Sequence, residues 1–232
     1  MHATVYSPRP KAAMPAVFLD RDGTINVEKN YLCRIADWEW IAGAKESLQR
    51  FKAAGFAVVI VSNQSGIARR MYTVEDVNFL HEQVIEQLDD DRQVIDAIYF
   101  CPHHPDFGPP TSCDCRKPAP GMLLRAAADL NLDLDNSWIV GDKLSDLEAG
   151  VVLGLRTVLV RTGHGAVHEA DVSSGMLVMD NLFEAALYIE AETSRNMHRI
   201  SLTSKRSEIN PVQLASLHAV AQALPAGALE TK

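Results

Sequence analysis

The segment from Asp20 to Thr24 (DRDGT) carries two carboxylates two positions apart, directly after the apolar run Ala16–Leu19. Such a pair can share one divalent cation while an oxygen of Asp20 stays free to attack an electrophile. Asp22 can reach the same centre as an acid or a base. Taken alone, this pattern also occurs in ordinary solvated turns, so its interpretation depends on the motifs found further along the chain.

Three further polar motifs lie at the ends of apolar segments or before a predicted helix. They are Ser62-Asn63, Lys117 and Asp142-Lys143. A hydroxyl and an amide can donate to an oxyanion, a lysine adds a positive charge, and another aspartate adds a metal ligand. Together with the first motif, this set has the groups that phosphoryl transfer to an aspartate requires.

The elements that must position these groups alternate between short apolar runs and amphipathic stretches. The predicted strands are Ala16–Leu19, Phe56–Val61, Ala97–Phe100, Trp138–Val140 and Arg156–Val160. The predicted helices cover 44–54, 73–90, 120–130 and 145–152, the second with Thr73 as its N-cap and Asp76 completing the cap. Runs that are apolar throughout are typical of strands buried on both faces of a parallel sheet. The sequence therefore predicts an α/β, doubly wound parallel sheet with its ligands at the carboxyl ends of the strands.

Residues 101–118 interrupt this alternation with a loop rich in proline, histidine and cysteine. Its C-x-H and C-x-C pairs offer three thiolates and one imidazole from Cys101, His103, Cys113 and Cys115. That donor set fills the tetrahedral shell of a structural zinc ion, and we prefer it to free thiols with a solvated histidine. His104 is the weaker ligand candidate, because His103 has the C-x-H spacing.

The ordered motifs resemble the haloacid dehalogenase (HAD) superfamily of aspartate-nucleophile phosphatases. This resemblance implies that Asp20 is the nucleophile and that Asp22 protonates the leaving oxygen and later activates water. It implies that the Asp20 carboxylate, the Asp22 backbone carbonyl and Asp142 bind Mg²⁺. It also implies that Ser62 and Lys117 hold the phosphoryl group.

With the cysteine-rich loop, the sequence is similar to one branch of that superfamily, which has a minimal cap. The branch hydrolyses either the 7-phosphate of heptose 1,7-bisphosphate, in ADP/GDP-heptose precursor synthesis, or histidinol phosphate. The similar segments are LDRDGTIN, SNQSGIARR, CPHHP, CDCRKPAPGM and GDKLSDLEAG. The resemblance implies substrate contacts by Glu28, Lys29, Asn30, Tyr31, Ser62, Asn63, Gln64, Ser65, Arg116, Lys117 and Lys143. The heptose substrate is preferred here, with histidinol phosphate kept as the alternative.

Three residues near these motifs have competing interpretations. Asp146 either belongs to the site or only orients Lys117 or its own helix. Arg116 either recognises the distal part of the substrate or is a surface charge. His164 is interpreted as a loop histidine, not a catalytic one.

Composition restricts the function classes. The 22 Lys+Arg against 30 Asp+Glu give a formal net charge of −8, which opposes binding of nucleic acid by bulk charge. A zinc-loop module for nucleic acid, with or without end-phosphatase activity, is therefore the third hypothesis.

The sequence has no apolar run near the roughly 18 residues of a membrane span and no signal-peptide pattern. Four cysteines fit a reduced cytoplasmic protein, and we expect a monomer whose partner is a small sugar phosphate.

The domain division follows the same composition. Residues 14–190 are predicted to form the phosphatase domain, with residues 1–13 and 191–232 as extensions. After residue 190 the sequence turns polar, and Asn210-Pro211 begins one more helical pattern that runs to Leu224.

Overall fold

The architecture was obtained as a computed structural model, in which residues 1–88, 94–108 and 113–207 are described. Residues 1–190 form one compact unit. The predicted helix at 210–224 lies outside the described residues. Within the described part of the chain, no helix is both long enough and apolar enough to span a membrane.

A seven-stranded sheet forms the centre of this unit, in the order β1-β4-β3-β2-β5-β6-β7. Every pairing is parallel except that of β1 with β4. The strands are β1 His2–Val5, β2 Met14–Leu19, β3 Ala57–Asn63, β4 Ala97–Cys101, β5 Leu132–Gly141, β6 Arg156–Val160 and β7 Leu177–Met179.

Helices connect these strands. They are α1 Ala44–Ala53, α2 Val74–Glu86, α3 Gly121–Leu130, α4 Leu144–Val151, the single turn α5 Gly165–His168, and α6 Leu182–Ser207. The predicted cap of α2 is confirmed, because Thr73 Oγ1 accepts from the Asp76 amide and Asp76 accepts from the Thr73 amide.

Side chains of alternate strand residues enter two hydrophobic cores, one on each face of the sheet. Val17 and Leu19 of β2 pack in the core with residues of α1 and α6. Ala16 and Phe18 pack in the opposite core with residues of α3 and α4. Burial on both faces is why the strands are apolar throughout, and it confirms the predicted doubly wound α/β fold.

The strand order reverses between β2 and β5, which lie side by side in the sheet. From β2 the chain adds β3 and β4 on one side, and then crosses over to add β5 and β6 on the other. A reversal of this kind opens a crevice at the carboxyl edge of the sheet. Asp20 follows β2, Ser62 lies at the end of β3, and Asp142 follows β5, so all three lie at this edge.

Several features of the fold differ from the sequence prediction. β7, at one edge of the sheet, corresponds to none of the five predicted strands. His2–Val5 pairs with β4 as an edge strand, whereas residues 1–13 are predicted to be an extension. β5 begins at Leu132, earlier than the apolar run Trp138–Val140 indicates, because its polar first half pairs with the start of β2. α6 continues beyond residue 190, where the polar composition has no apolar period to indicate a helix.

Candidate active site

The carboxyl edge of the sheet holds a buried lysine between two aspartates. Lys117 Nζ lies 2.7 Å from Asp20 Oδ1 and 2.8 Å from Asp146 Oδ1, and it donates to the Val61 carbonyl at 2.6 Å. Burial alone lowers the pKa of a lysine, but the charges of Asp146 and Asp20 outweigh it, so the pKa of Lys117 lies above its ordinary value. Lys117 is therefore charged, and its three donors are all occupied.

Asp146 contributes to two structures at once. Besides its contact with Lys117, its Oδ2 accepts from the Lys143 backbone amide at the start of α4. Asp146 thus contacts both Lys117 and the start of its own helix, which are the two structural roles predicted for it. Its carboxylate also lies close to those of Asp20 and Asp142, with one oxygen of each within 4.8 Å of the others.

Asp142 is fully buried, and two glycines pack against its carboxylate. A Cβ built on Gly23 or on Gly163 would lie 2.2 Å from Asp142 Oδ2, and both residues have positive φ, +90° and +58°. Only glycine tolerates this approach and this backbone conformation together. The same oxygen accepts from the His164 amide at 2.8 Å, so the loop after β6 closes over the carboxylate.

The free oxygen of Asp142 supports a cation site. Asp142 Oδ1 is buried without a hydrogen-bond partner among the described residues. Burial and the nearby Asp20 charge raise the pKa of Asp142 to about 8. This buried acceptor lies beside two other carboxylates, and the Lys143 ammonium 3.6 Å away makes no hydrogen bond with it. Oxygen ligands of this type suit Mg²⁺. The residues present therefore fit the metal that the fold class implies.

Asp22 is held by three neighbours. Arg21 donates to both of its carboxylate oxygens at 2.8–3.1 Å, Asn26 donates to Oδ1 at 3.0 Å, and Gln64 donates to Oδ2 at 3.0 Å. Burial raises the pKa of a carboxyl, but the Arg21 charge and these hydrogen bonds prevail, so the pKa of Asp22 is below its ordinary value. Arg21 is itself buried and also contacts His81 Nε2 at 3.1 Å.

An open cleft of about 390 Å³ lies over these groups. The predicted site residues that line it are Asp20, Asp22, Glu28, Asn30, Tyr31, Ser62, Asn63, Gln64, Ser65, Arg116, Lys117 and Lys143. Lys29 is not among the lining residues, and its ammonium contacts Glu39 at 2.7 Å on the surface. Asp142 lies beneath the cleft with no exposed surface.

Four lining residues are not assigned to the site by the sequence motifs: Tyr72, Ser145, Asp146 and His164. The position of Asp146 in the sequence could have indicated that it belongs to the site, because it comes after Asp142 on the first turn of the next helix. His164 is a loop histidine, as predicted, yet its Nε2 lies 3.7 Å from Glu28 Oε2 at the cleft wall. Tyr72 belongs to no motif, and Ser145 lies within the segment GDKLSDLEAG without an assigned role. Both become visible as lining residues only when the loops are folded together.

Two other predicted contacts hold loops in place. Asn63 Oδ1 accepts from the Lys117 amide at 3.1 Å and its Nδ2 donates to the Lys117 carbonyl at 3.0 Å, which fixes the lysine backbone on β3. Lys143 Nζ lies 3.3 Å from Glu28 Oε2 and 3.6 Å from Asp142 Oδ1, so it joins the 28–31 loop to the buried carboxylate.

The four predicted zinc ligands lie together beside the cleft. The Sγ atoms of Cys101 and Cys113 are 3.8 Å apart, and His103 Nδ1 is 3.6 Å from Cys101 Sγ and 3.5 Å from Cys115 Sγ. A tetrahedral zinc ion at its usual bond lengths separates its ligand atoms by roughly 3.5–3.8 Å. These side chains therefore match the edges of such a tetrahedron.

Two neighbours extend this cluster. His104 Nε2 contacts Arg69 at 3.1 Å, and its Nδ1 accepts from the Asp106 amide at 3.0 Å, so both ring nitrogens are used elsewhere. Arg116 donates to the His103 carbonyl at 3.1 Å and lines the cleft. The cluster thereby fixes the position of the Arg116 side chain, one of the positively charged groups that line the cleft.

The fold and the site define a class: hydrolases with an aspartate at the carboxyl end of the central strand, a buried lysine and an acidic metal site. Comparison with known proteins agrees, since the HAD-hydrolase-like family matches residues 114–185. The D-glycero-beta-D-manno-heptose-1,7-bisphosphate 7-phosphatase of Yersinia pestis is 43% identical over 183 residues, covering 77% of this chain and 97% of that protein. The protein of the same name from Escherichia coli (strain K12) is 46% identical, covering 68% of this chain and 85% of its own.

A solved structure supports the same assignment. The D,D-heptose 1,7-bisphosphate phosphatase from B. bronchiseptica, complexed with magnesium and phosphate, superposes with a TM-score of 0.70 at 34% identity. The alignment covers 77% of this chain and 99% of that one. The chain belongs to the heptose-1,7-bisphosphate 7-phosphatase family of HAD hydrolases. It is accordingly a phosphoric monoester hydrolase.

Proposed function

We propose that this enzyme removes the 7-phosphate of D-glycero-D-manno-heptose 1,7-bisphosphate through an aspartyl-phosphate on Asp20. The observation that carries the proposal is the buried Lys117 ammonium 2.7 Å from Asp20 Oδ1, at the base of a cleft lined by further cations. A dianionic phosphoryl group needs positive charge around it, and Lys117, Lys143 and Arg116 supply that charge along the cleft. Relatives at 43–46% identity bear the name of this activity.

In the first half of the reaction, an oxygen of Asp20 attacks phosphorus, and the bond from phosphorus to the sugar oxygen breaks. Asp22 donates a proton to that leaving oxygen. The negative charge of the incoming phosphate raises the pKa of a nearby carboxyl, which favours the protonated form that this step requires. Ser62 donates to a phosphoryl oxygen, and the positive charge of Lys117, beside Asp20, stabilises the transferred phosphoryl group.

In the second half, water attacks phosphorus and releases Asp20. The Asp22 carboxylate accepts the proton of that water. Asp22 accepts hydrogen bonds on both oxygens, which is the ionised form suited to this step. Asp22 therefore serves as acid first and base second.

Asp20, Asp142 and the backbone carbonyl of Asp22 would hold Mg²⁺. When bound, the ion screens the charge of Asp20 against the phosphate and polarises a phosphoryl oxygen. Asp142 Oδ1, which has no hydrogen-bond partner among the described residues, supports this ligand set. Asp146 stays on Lys117 and the Lys143 amide, where it stabilises the position of both.

Cys101, His103, Cys113 and Cys115 would hold a structural Zn²⁺. Four protein ligands close the shell, so this ion has no open position for catalysis. Its contribution is to fix the loop that carries Arg116 and Lys117 over the cleft. The contact of Arg116 with the His103 carbonyl supports that role.

We propose, on the same similarity, that the enzyme acts in the cytoplasm as a monomer in heptose precursor synthesis, with residues 14–190 as its catalytic domain. All proposed site residues fall between Asp20 and Lys143, which supports that division. The net charge of −8 opposes a nucleic-acid partner.

The decisive experiment measures phosphate release with Mg²⁺ from both anomers of heptose 1,7-bisphosphate and from histidinol phosphate. We expect kcat/KM to be highest for one heptose anomer and the 1-phosphate to remain on the product. A higher kcat/KM for histidinol phosphate would overturn the substrate assignment while leaving the aspartyl-phosphate chemistry intact.

A further inference from the structure

Gln64 lines the cleft but has only 2% of its surface exposed, although its motif predicts a contact with substrate. Its Nε2 donates to Asp22 Oδ2 at 3.0 Å and to Ser62 Oγ at 2.8 Å. Its Oε1 accepts from the Tyr72 hydroxyl at 2.8 Å. One amide therefore joins the acid/base carboxylate to the hydroxyl that faces the phosphoryl group.

The orientation of this amide follows from its neighbours. Asp22 already accepts from Arg21 and Asn26, so it presents only acceptor oxygens to Gln64. The NH₂ end of Gln64 must then face Asp22, which turns Oε1 toward Tyr72. Tyr72 meets this requirement as a donor, because burial raises the pKa of Tyr72 to about 12 and the hydroxyl keeps its proton.

The same orientation decides the direction of the Ser62 hydrogen bond. Since Gln64 Nε2 is the donor, Ser62 Oγ accepts, and its own hydrogen is not used on Gln64. Within the described part of the chain this hydroxyl has no other partner. Its proton is therefore available to a phosphoryl oxygen in the cleft.

The Tyr72 ring is fixed in position by its packing against the protein. A Cβ built on Gly66 would lie 2.3 Å from two ring carbons of Tyr72, so the ring packs directly on the Gly66 backbone. Only 8% of the tyrosine surface is exposed. Its hydroxyl thus has a fixed location opposite the Gln64 carbonyl oxygen.

We propose that Gln64 and Tyr72 are positioning residues of the phosphatase. Tyr72 orients the Gln64 amide, and that amide directs the Ser62 hydroxyl toward the phosphoryl group and holds Asp22 in place. Gln64 acts through these two side chains and not through the sugar. The inference rests on the phosphoryl-transfer site of the proposed function but not on the identity of the substrate.

Gln64→Glu and Tyr72→Phe test this arrangement. Glutamate has the same shape but no side-chain donor, so Ser62 would donate to it and Asp22 would face a like charge. We expect kcat to fall about 100-fold, the usual effect of losing a phosphoryl- or oxyanion-directed donor. Tyr72→Phe removes a single buried hydrogen bond, and we expect kcat to fall roughly three- to tenfold.

The substrate pair makes the test specific. p-Nitrophenyl phosphate has no sugar, so a positioning role predicts similar losses of kcat on it and on heptose 1,7-bisphosphate. If Gln64→Glu spared p-nitrophenyl phosphate and weakened only the sugar substrate, Gln64 would be a substrate contact and the inference would fail. It would also fail if Tyr72→Phe retained wild-type kcat on both substrates.

Matched controls separate this effect from general damage. Tyr99→Phe removes another buried tyrosine hydroxyl, which bonds Asp129 outside the cleft, and kcat should stay within about twofold of wild type. Gln87→Glu makes the same charge change at an exposed position. If wild type hydrolyses p-nitrophenyl phosphate but not the heptose, the substrate proposal fails while this comparison still measures the positioning role.

Discussion

Lys117 donates to Asp20 across 2.7 Å although 97 positions separate the two residues in the chain. The contact forms because Asp20 directly follows β2 and because the Asn63 side chain, on the neighbouring strand, makes two hydrogen bonds to the backbone of Lys117. Charge neutralisation of the proposed nucleophile is therefore provided by a loop and not by the strand that carries the nucleophile.

Asp20→Asn should abolish turnover. The amide is nearly isosteric with the carboxylate but cannot form the phosphoryl ester, so we expect kcat to fall by more than roughly 10⁴-fold, as for loss of other enzyme nucleophiles. The measurement is phosphate release under saturating substrate. Asp37→Asn, which removes an exposed partner of Arg34, makes the same chemical change away from the site. A variant that kept activity within a few-fold of wild type would exclude the aspartyl-phosphate mechanism.

Gly163→Ala should impair the cation site. The added methyl group would meet Asp142 Oδ2 at 2.2 Å and Gly23 Cα at 2.6 Å, so the carboxylate must shift. We expect the Mg²⁺ concentration for half-maximal activity to rise at least about tenfold, the scale seen when groups around a metal are disturbed.

Gly154→Ala is the matched control for that variant. Gly154 has φ +75° but open space where the Cβ would lie, so it shares the backbone strain without the crowding. It should lose about 1 kcal/mol of stability and retain the wild-type Mg²⁺ dependence. Equal Mg²⁺ dependence of both variants would show that backbone strain, and not contact with Asp142, accounts for the effect.

His81 should make the free energy of unfolding depend on pH. Burial, together with the Arg21 charge, lowers the pKa of His81 from 6.5 to about 3. Between these two values the unfolded chain binds a proton that the folded chain does not. The free energy of unfolding therefore falls as the pH falls through this window, by about 2 kcal/mol near pH 5.

His81→Gln removes this titration. Urea unfolding at about pH 7.5 and about pH 5 should show a smaller difference between the two pH values in the variant than in wild type, by about 2 kcal/mol. His168→Gln, at a partly exposed position, serves as the control. An unchanged difference in the His81 variant would mean that this ring is protonated in the folded protein.

Elemental analysis should find about one equivalent of zinc per chain, set by the single four-ligand cluster of the described residues. Replacing Cys113 and Cys115 together with serine should remove the zinc and lower Tm, because binding energy of the ion contributes to folding. The Cys33→Ser variant should retain the zinc and the wild-type Tm, since Cys33 lies outside the cluster. A zinc-free protein with full activity would contradict this assignment.

Much of the fold could be predicted from local patterns. Apolar runs predicted the five inner strands, because a strand buried on both faces has no polar alternation. The edge strand at His2–Val5 was not predicted, since a short half-exposed strand leaves a weak signal. The start of β5 was missed for a related reason, as its register against β2 and not its composition makes it a strand.

The candidate site divides in the same way. The sequence by itself determined that Asp20, Ser62 and Asp142 meet at one edge of the sheet, because the carboxyl ends of parallel strands share that edge. Through their spacing, it also determined the four side chains of the Cys/His cluster that could bind zinc. Only the tertiary structure decided that the Lys29 ammonium contacts Glu39 outside the cleft, and that the Tyr72 hydroxyl donates to Gln64 Oε1. Such contacts depend on how loops distant in the chain pack together, and no local residue pattern specifies that packing.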